Sequence, residues 1–347
     1  MSDNITRYRQ VRNALERLYP TKPKGNLARN LNTLATMISG IVGSKSTQLP
    51  QIAGKTPLGV KAASIEKRIK RWLINENTEK SVFYLPYAQA LLDSLGLCEI
   101  VLAMDGSVVG HGCITLMVSV IYKKRALPLA YIVVTGKKGH FPEQRHIALV
   151  KEVHEMIPQT NQKVVFLGDG EFDGCDLQKT LSNLGWLYVC RTGVNIKIFI
   201  DDEVFDVGIL SALLPPGCYR YWRKILFSHK KYGPVTVIVW WAENNEEPIY
   251  MVTNVKSPKD ACDYYSKRFR IETFFSDQKS RGFNIHKSHI SDPVRLSRLM
   301  IAACLAYIWI IFLGTLASKQ GWVKIIHRTD RCDLSLFQLG LRLLEHF

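Results

Sequence analysis

The sequence predicts an α/β protein built on a mixed β-sheet flanked by helices, with an N-terminal helical domain and a β-rich insertion. Three β-branched, apolar runs between residues 98 and 134 are divided by short turns, which is typical of an antiparallel meander. Two later strand-like runs, 163–169 and 185–193, enclose an amphipathic helical segment. An antiparallel meander followed by helix-linked strands predicts a sheet of mixed direction.

The composition indicates a folded, basic protein. The 347 residues carry a formal net charge of +16 and are 47% hydrophobic, which excludes a disordered basic tail. Such a charge favours nucleic acid as the partner, with an anionic membrane surface as the alternative. The eight cysteines are scattered and show no zinc-ligand spacing, and the N-terminus lacks the apolar core of a secretory signal. We therefore expect a cytoplasmic protein with reduced thiols.

Residues 1–96 are expected to form a helical DNA-binding domain. Apolar residues recur at helical intervals within 12–42, and a second amphipathic run at 60–76 carries four basic residues within five positions. The first 96 residues contain 15 Lys and Arg against six Asp and Glu, an excess of nine positive charges. This excess is more than half of the net charge of the whole chain, so DNA contact is predicted here.

Residues 97–318 are expected to form the second domain. A helix at about 142–157 follows the meander, because charged residues alternate there with an apolar stripe. Short strands separated by turns between about 195 and 256 predict a β-rich insertion. An amphipathic helix within 264–283 follows this insertion.

Residues 299–317 are apolar for long enough to resemble a membrane span. A single span late in a charged chain of mixed composition is the less favoured interpretation, and a buried core helix is expected instead. The last segment, 319–347, is predicted to be a basic, amphipathic C-terminal tail.

Three carboxylates are placed where they can meet. Asp105 and Asp169 each fall at the predicted end of a strand, where a side chain can project past the edge of the sheet. Glu272, from a helix packed across the sheet, can complete a pocket of hard oxygen ligands. Such a pocket suits two Mg²⁺ or Mn²⁺ ions, which can stabilise the attacking and leaving oxygens of a phosphodiester.

The helix that carries Glu272 also carries residue types that commonly bind phosphate. Arg268, Glu272 and Lys279 lie three, seven and fourteen positions after Tyr265. At about 100° per residue, the four side chains fall within a sector of about 60° on one continuous helix. Arginine offers two parallel donors to a phosphate, lysine a point charge, and a tyrosine hydroxyl a hydrogen bond.

The block Tyr265-x2-Arg268-x3-Glu272-x6-Lys279, together with Asp105 and Asp169, resembles the DDE transposases of bacterial insertion sequences. It matches the Y-R-E-K signature of the insertion-sequence-four group at every spacing, and the resemblance covers about residues 98–318. It implies a ribonuclease-H-like fold, with the β-rich stretch inserted between the fifth strand and the helix of Glu272. In the sequence GDGEFDG around Asp169, Gly170 stands where the family often has arginine, which puts one local DNA contact in doubt.

The resemblance also implies an activity. A member of this group binds the terminal inverted repeats of its element, cleaves DNA, and joins the freed 3′-OH ends to target DNA by two-metal phosphoryl transfer through a hairpin intermediate. Paired ends imply a homodimer in the active complex. A metal-dependent nuclease of the same fold and a catalytically inactive DNA-binding remnant are the alternatives.

Residue roles follow from the same resemblance. Asp105, Asp169 and Glu272 are expected to be the catalytic metal ligands. In relatives, an aromatic residue of the insertion stacks on a base flipped out of the duplex, and such stacking contributes about 1 to 3 kcal/mol per base. The residues expected to contact DNA are Tyr265, Arg268 and Lys279 at the phosphates, and Trp240, Trp241 or Tyr250 at the base.

Other polar residues are expected to have ordinary roles. Glu171 and Asp173 are predicted to cap or solvate the turn before the next helix. The histidines at 140, 146 and 154 lack metal-ligand spacing and are interpreted as ordinary polar or DNA-facing residues.

Overall fold

The computed structural model describes residues 3–57, 59–136, 141–158, 162–201, 203–328 and 332–346. The helices are α1 Asp3–Leu18, α2 Gly25–Ser44, α3 Leu49–Gly54, α4 Ala62–Ile74, α5 Lys80–Phe83, α6 Leu85–Ser94, α7 Glu143–Met156, α8 Cys175–Asn183, α9 Pro258–Tyr265, α10 Arg270–Gln278, α11 Pro293–Lys319, α12 Val323–Ile326 and α13 Leu336–His346. The strands are β1 Glu99–Gly110, β2 Cys113–Tyr122, β3 Arg125–Thr135, β4 Lys163–Gly168, β5 Leu187–Arg191, β6 Lys197–Ile200, β7 Glu203–Asp206, β8 Tyr219–Phe227, β9 Tyr232–Trp240 and β10 Ile249–Thr253.

The strands of the described ranges form one sheet, and its mixed direction is as predicted. Its ten strands lie in the order β3-β2-β1-β4-β5-β10-β9-β8-β6-β7. The meander β1-β2-β3 is antiparallel, whereas β4 runs parallel to both β1 and β5. Every residue of β2 from Cys113 to Ile121 is buried, so both faces of the sheet are covered there. The α/β fold class, with helices flanking a mixed sheet, is confirmed.

The β-rich segment extends this sheet. Strand β10 pairs antiparallel with β5, and β9, β8, β6 and β7 follow outward from it. The part of the sheet near β5 is buried, because Val237, Ile238 and Val239 in β9 have no exposed surface. The outer strand β8 is largely exposed over its first half. The segment therefore bonds to β5 and belongs to the same sheet as β1 and β4.

The apolar helix α11 is a core helix. It is the one helix in the described ranges that is long and apolar enough to span a membrane, yet 72% of its apolar window is buried inside the protein. Asp292 caps its N-terminus by accepting a hydrogen bond from the backbone N–H of Arg295 at 2.7 Å. Helix α13 lies directly against it, since a Cβ on Gly340 would come within 2.0 Å of the carbonyl oxygen of Ile310. The predicted C-terminal tail thus includes a helix packed on the core.

The N-terminal region is helical, as expected, and it packs on the same core. The Arg298 side chain in α11 donates to the carbonyls of Leu73 at 2.8 Å and Thr78 at 3.0 Å. Lys80 donates to the carbonyl of Tyr131 in β3 at 2.9 Å. These contacts attach the helical region to α11 and to the sheet, and its contact with DNA stays a prediction.

Candidate active site

Asp105 and Asp169 lie at the same end of two adjacent parallel strands. The pairing of β1 with β4 ends at Ala103 and Leu167, two residues before each aspartate. Asp169 follows the end of β4 directly, as predicted. The prediction that Asp105 ends its strand is wrong, because β1 continues to Gly110 by pairing with β2 on its other side. The aspartates therefore meet where β1 and β4 part rather than where both strands end.

The turn after β4 needs a glycine before Asp169. The backbone N–H of Phe172 donates to the carbonyl of Asp169 at 3.0 Å, which folds the chain back over the strand end. A Cβ on Gly168 would lie 2.5 Å from the Cβ of Phe172. Glycine is required here by this close approach, and the resulting tight turn directs Asp169 to the edge of the sheet.

A cleft opens at this edge. Its volume is about 660 Å³, and residues from β1, the turn after β4, and α10 line it. The three predicted metal ligands are among the lining residues. The charged and hydroxyl side chains of the lining are those of Asp105, Ser107, Asp169, Glu171, Glu272, Ser276, Lys279 and Ser280.

The environment of Asp105 disfavours its negative charge. Burial, followed by the nearby charge of Asp169, raises the pKa of Asp105 to about 7. Arg268 and the backbone N–H of Gly106, which donates to Asp105 Oδ1 at 2.7 Å, oppose this shift only in part. Two close carboxylates in a partly desolvated cleft favour a cationic partner.

The segment that carries Glu272 is two helices rather than the single helix predicted. Helix α9 ends at Tyr265 and α10 begins at Arg270. Between them, the N–H groups of residues 267, 268, 270, 271 and 272 bond to carbonyls three positions earlier, as in a 3₁₀ helix. The tighter winding invalidates the projection of all four side chains at 100° per residue. The prediction of one continuous helical face is therefore wrong, although the side chains still meet.

Arg268 lies between two of the carboxylates. Its Nη2 donates to Glu272 Oε1 at 2.7 Å, and its Nη1 is 4.0 Å from Asp105 Oδ2. The guanidinium carbon lies 5.7 Å from the ring centroid of Tyr265, which is buried at 6% exposure. Burial raises the pKa of the Tyr265 phenol, so this side chain is a neutral support for the guanidinium.

Lys279 reaches the cleft from beyond the end of α10. Helix α10 ends at Gln278, and Lys279 follows with a non-helical backbone conformation. Its Nζ donates to Ser107 Oγ at 2.6 Å, two residues along β1 from Asp105. Three carboxylates, a guanidinium and an ammonium group thus converge at the edge of the sheet.

Comparison with known protein families identifies the family to which the chain belongs. The profile described as "Transposase DDE domain" matches residues 98–309, which is more than half of the chain. The chain belongs to the DDE transposase family.

Two further comparisons add little. The structure of an endonuclease V variant from Ciona intestinalis, in complex with a 23mer DNA containing an inosine followed by a ribo-adenosine, is 14% identical, with 68% of the transposase and 97% of the other chain covered. Its TM-score is 0.28, which is too low to indicate a shared fold. Comparison with curated proteins gives no match.

The aromatic residues predicted to stack on a DNA base differ in accessibility. Tyr250 in β10 is 8% exposed, so it offers no free ring face. Trp240 and Trp241 are half-buried, and Trp241 Nε1 donates to the carbonyl of Asn245 at 2.9 Å. Sequence reasoning missed the more exposed rings on β8, those of Tyr219 and Tyr221.

The sequence analysis did not predict the position of Glu171 in the cleft. Rather than capping a helix or facing solvent, it lines the cleft beside Asp169, and it accepts a hydrogen bond from the backbone N–H of Phe141 at 2.6 Å. Asp173 instead accepts a hydrogen bond from the hydroxyl of Thr192 at 2.6 Å. His146 was expected to be an ordinary polar or DNA-facing residue, but it is 2% exposed and so does not face DNA. Residue 140 lies outside the described ranges. The one sequence signal for its location in the cleft is that Glu171 follows Asp169 by two residues.

The donor set of this transposase suits a divalent cation in its chemistry. Asp105, Asp169 and Glu272 offer only carboxylate oxygens, which Mg²⁺ and Mn²⁺ prefer. Across the described ranges, no three Asp, Glu, His or Cys side chains are grouped tightly enough to hold a metal ion. At this site Glu272 is paired with Arg268 at 2.7 Å, and its side chain is 54% exposed.

Proposed function

We propose that this transposase cleaves DNA at the ends of its element and joins the freed 3′-OH to target DNA. The observation that carries the proposal is that Asp105, Asp169, Glu272 and Lys279 line one cleft, with the Arg268 guanidinium bonded to Glu272 and 4.0 Å from Asp105. Carboxylates alone are common at the edges of sheets. Carboxylates surrounded by two phosphate-binding cations indicate phosphodiester chemistry.

The three carboxylates would hold two Mg²⁺ or Mn²⁺ ions. When bound, such ions activate the attacking oxygen and stabilise the leaving oxygen of an in-line displacement. Asp105 and Asp169 are fixed by adjacent strands, so they supply the rigid part of the site. Glu272, on the exposed first turn of α10, supplies the adjustable part.

Arg268 and Lys279 would bind the phosphates of the cleaved end. The Arg268 side chain is held against the Tyr265 ring, which restricts the directions in which its guanidinium can point. Lys279 enters from the opposite end of α10. A phosphate placed between them would lie directly beside the carboxylates.

The finer assignment rests on the Y-R-E-K spacing. We infer membership of the insertion-sequence-four group and a hairpin intermediate at the transposon end, with Trp240 or Trp241 as the residue that stacks on a flipped base. The helical region 1–96 would bind the terminal inverted repeats, because its surface is basic. We further propose a homodimer that pairs the two ends, acting in the cytoplasm.

A metal-dependent nuclease that never joins strands is the second candidate. The same carboxylates would serve it, and the cations at the cleft would bind its substrate equally well. The Y-R-E-K spacing favours the transposase.

The test is a cleavage assay on linear DNA that carries the element's own ends, with Mg²⁺ or with EDTA. We expect metal-dependent nicks at the element boundary, absent from D105A, D169A and E272A proteins that still bind the ends. A hairpin band on a denaturing gel would establish the route. Cleavage that persists in E272A would refute the metal assignment, and cleavage without joining would favour the nuclease.

A further inference from the structure

A buried histidine lies behind the cleft and makes no conventional hydrogen bond to the described part of the chain. His146 in α7 is 2% exposed, its ring centroid lies 4.7 Å from that of Phe172, and neither ring nitrogen has a hydrogen-bond partner within the described residues. Burying an imidazole without partners costs free energy, so a role that a phenylalanine could not fill is indicated.

The polar group that His146 faces belongs to the cleft. Its Nε2 lies 3.4 Å from Oε1 of Glu171, whose side chain is 19% exposed and lines the cleft. A small rotation of either side chain would bring these atoms to hydrogen-bond distance. His146 is therefore aimed at a carboxylate two residues from Asp169.

Glu171 in turn connects the surroundings of the two aspartates. Its backbone N–H donates to Asp169 Oδ1 at 3.0 Å, and its Oε1 accepts from the N–H of Phe141 at 2.6 Å. The ring of Phe141 packs against Gly106, where an added Cβ would lie 3.2 Å from the ring. Gly106 directly follows Asp105 and donates to its carboxylate. One carboxylate thus links the turn of Asp169 to the backbone beside Asp105.

We propose that His146 and Glu171 form a positioning pair that sets the separation of the Asp105 and Asp169 carboxylates. His146 holds the Glu171 carboxylate from behind, and Glu171 holds Phe141 and the turn of Asp169 from within the cleft. The inference rests on the proposed function only in taking the two aspartates as ligands of a divalent ion. Neither His146 nor Glu171 contacts that ion.

The test measures Mn²⁺ binding to the full chain by calorimetry without DNA, alongside urea unfolding. H146F keeps a ring against Phe172 but removes both nitrogens, and we expect Mn²⁺ affinity to fall about tenfold while the unfolding midpoint is unchanged or higher. H146Q places an amide nitrogen near the position of Nε2 and should restore affinity to within about twofold of the wild type. H154F makes the same change on the same helix, where the ring packs against Trp186 away from the cleft, and should leave Mn²⁺ affinity unchanged.

The outcomes separate the possibilities. Wild-type affinity in H146F would overturn the proposal, as would an H154F protein that loses as much affinity as H146F. Complete loss of binding in E171A with full binding in H146F would make Glu171 a ligand and would also overturn it. D169A provides the reference, because unchanged Mn²⁺ binding in D169A would refute the metal site of the proposed function rather than the positioning pair.

Discussion

At the scale of single residues, Arg268 contacts the same carboxylates that a divalent ion would bind. The guanidinium holds Glu272 Oε1 at 2.7 Å and approaches Asp105 Oδ2 at 4.0 Å, and both carboxylates are proposed metal ligands. A cation that binds them must displace Arg268 or repel it. The released guanidinium would then be available to a DNA phosphate, so metal binding and engagement of the DNA end would favour each other.

This competition predicts an unusual phenotype for R268Q. Removing the guanidinium should strengthen Mn²⁺ binding in the absence of DNA by about tenfold, equivalent to about 1.4 kcal/mol, because a nearby positive charge is lost. The same variant should weaken binding to cleaved ends. Calorimetry with Mn²⁺ and a binding assay with end DNA measure the two effects.

K267Q is the matched control for R268Q. It removes the same charge one residue away, where Lys267 Nζ lies over the ring of Tyr264, 4.9 Å from its centroid. Mn²⁺ affinity in K267Q should stay at the wild-type value. Weaker Mn²⁺ binding in R268Q than in the wild type would contradict the competition.

At the scale of elements, helix α10 is anchored by a buried ion pair on the side away from the cleft. Arg125, the first residue of β3, donates to Asp277 at 2.9 Å, and both side chains are nearly inaccessible. Asp277 lies five residues after Glu272, which places it about 140° around the helix. The pair therefore fixes the rotation of α10 that points Glu272 into the cleft.

Breaking this pair should be costly, whereas replacing it should not. R125M removes the hydrogen-bonded partner of a buried carboxylate and should lower the free energy of unfolding by about 3 to 5 kcal/mol. The double variant R125M/D277L should recover most of this loss, because an apolar pair of similar volume fits the same site. Urea unfolding measures both, and a double variant no more stable than R125M would contradict the prediction.

The same aspartate predicts a dependence of stability on pH. Burial raises the pKa of Asp277 from 3.8 to about 6, and the positive charges of Arg125 and Arg281 oppose this rise. The nearby Tyr307 is a neutral phenol, because burial raises its pKa as well. The folded state therefore takes up this proton at a higher pH than the unfolded state does. Protonation of Asp277 therefore adds to the free energy of unfolding. This contribution is complete below about pH 4 and is lost as the pH rises through 6, a change of up to about 3 kcal/mol.

D277N isolates this contribution, since it cannot titrate. The stability of the wild type relative to D277N should decrease between pH 4 and pH 7 in urea unfolding. A difference that is constant or rises across this range would contradict the raised pKa.

The elements also show what could be predicted from the sequence. The strands β1 to β5 and the buried helix α11 were predictable, because continuous apolar runs leave few alternatives. The break between α9 and α10 was not, because residues 266–269 contain no glycine or proline and the 3₁₀ winding is visible only in the hydrogen bonds. Glu171 and His146 were missed because their roles depend on contacts between residues 25 to 30 positions apart, which no local pattern records.

At the scale of the whole molecule, the basic N-terminal helices pack on the same core that supports the cleft. The basic surface of α4 includes Lys67, Lys70 and Arg71, which are exposed. Helix α2, beside α4, packs on α11, so a force on the N-terminal helices would reach the core that supports α10. DNA bound to this region would thus be held at a defined orientation relative to the cleft.

The predicted DNA contact of α4 can be measured through salt. If Lys67 and Arg71 bind phosphates, K67Q/R71Q should reduce the slope of log affinity against log salt by about 2, because each phosphate contact contributes about 0.9. K319Q/K324Q removes two exposed charges at the C-terminal end of α11 and in α12. This control should retain the wild-type slope, and an unchanged slope in K67Q/R71Q would exclude α4 from the DNA interface.

The pairing of β5 with β10 gives the β-rich segment a simple topological description. Arg191 faces Met251, and the N–H of Thr192 donates to the carbonyl of Tyr250 at 2.9 Å, so the chain leaves and re-enters the sheet at neighbouring points. Residues 193–248 are, in this sense, the enlarged loop of a β-hairpin. Because the entropy of closing a loop rises only slowly with its length, such a loop can gain or lose whole strands while the catalytic strands keep their register. A chain with this loop cut back to a tight turn would keep its carboxylates in place and would expose β10 as a new edge.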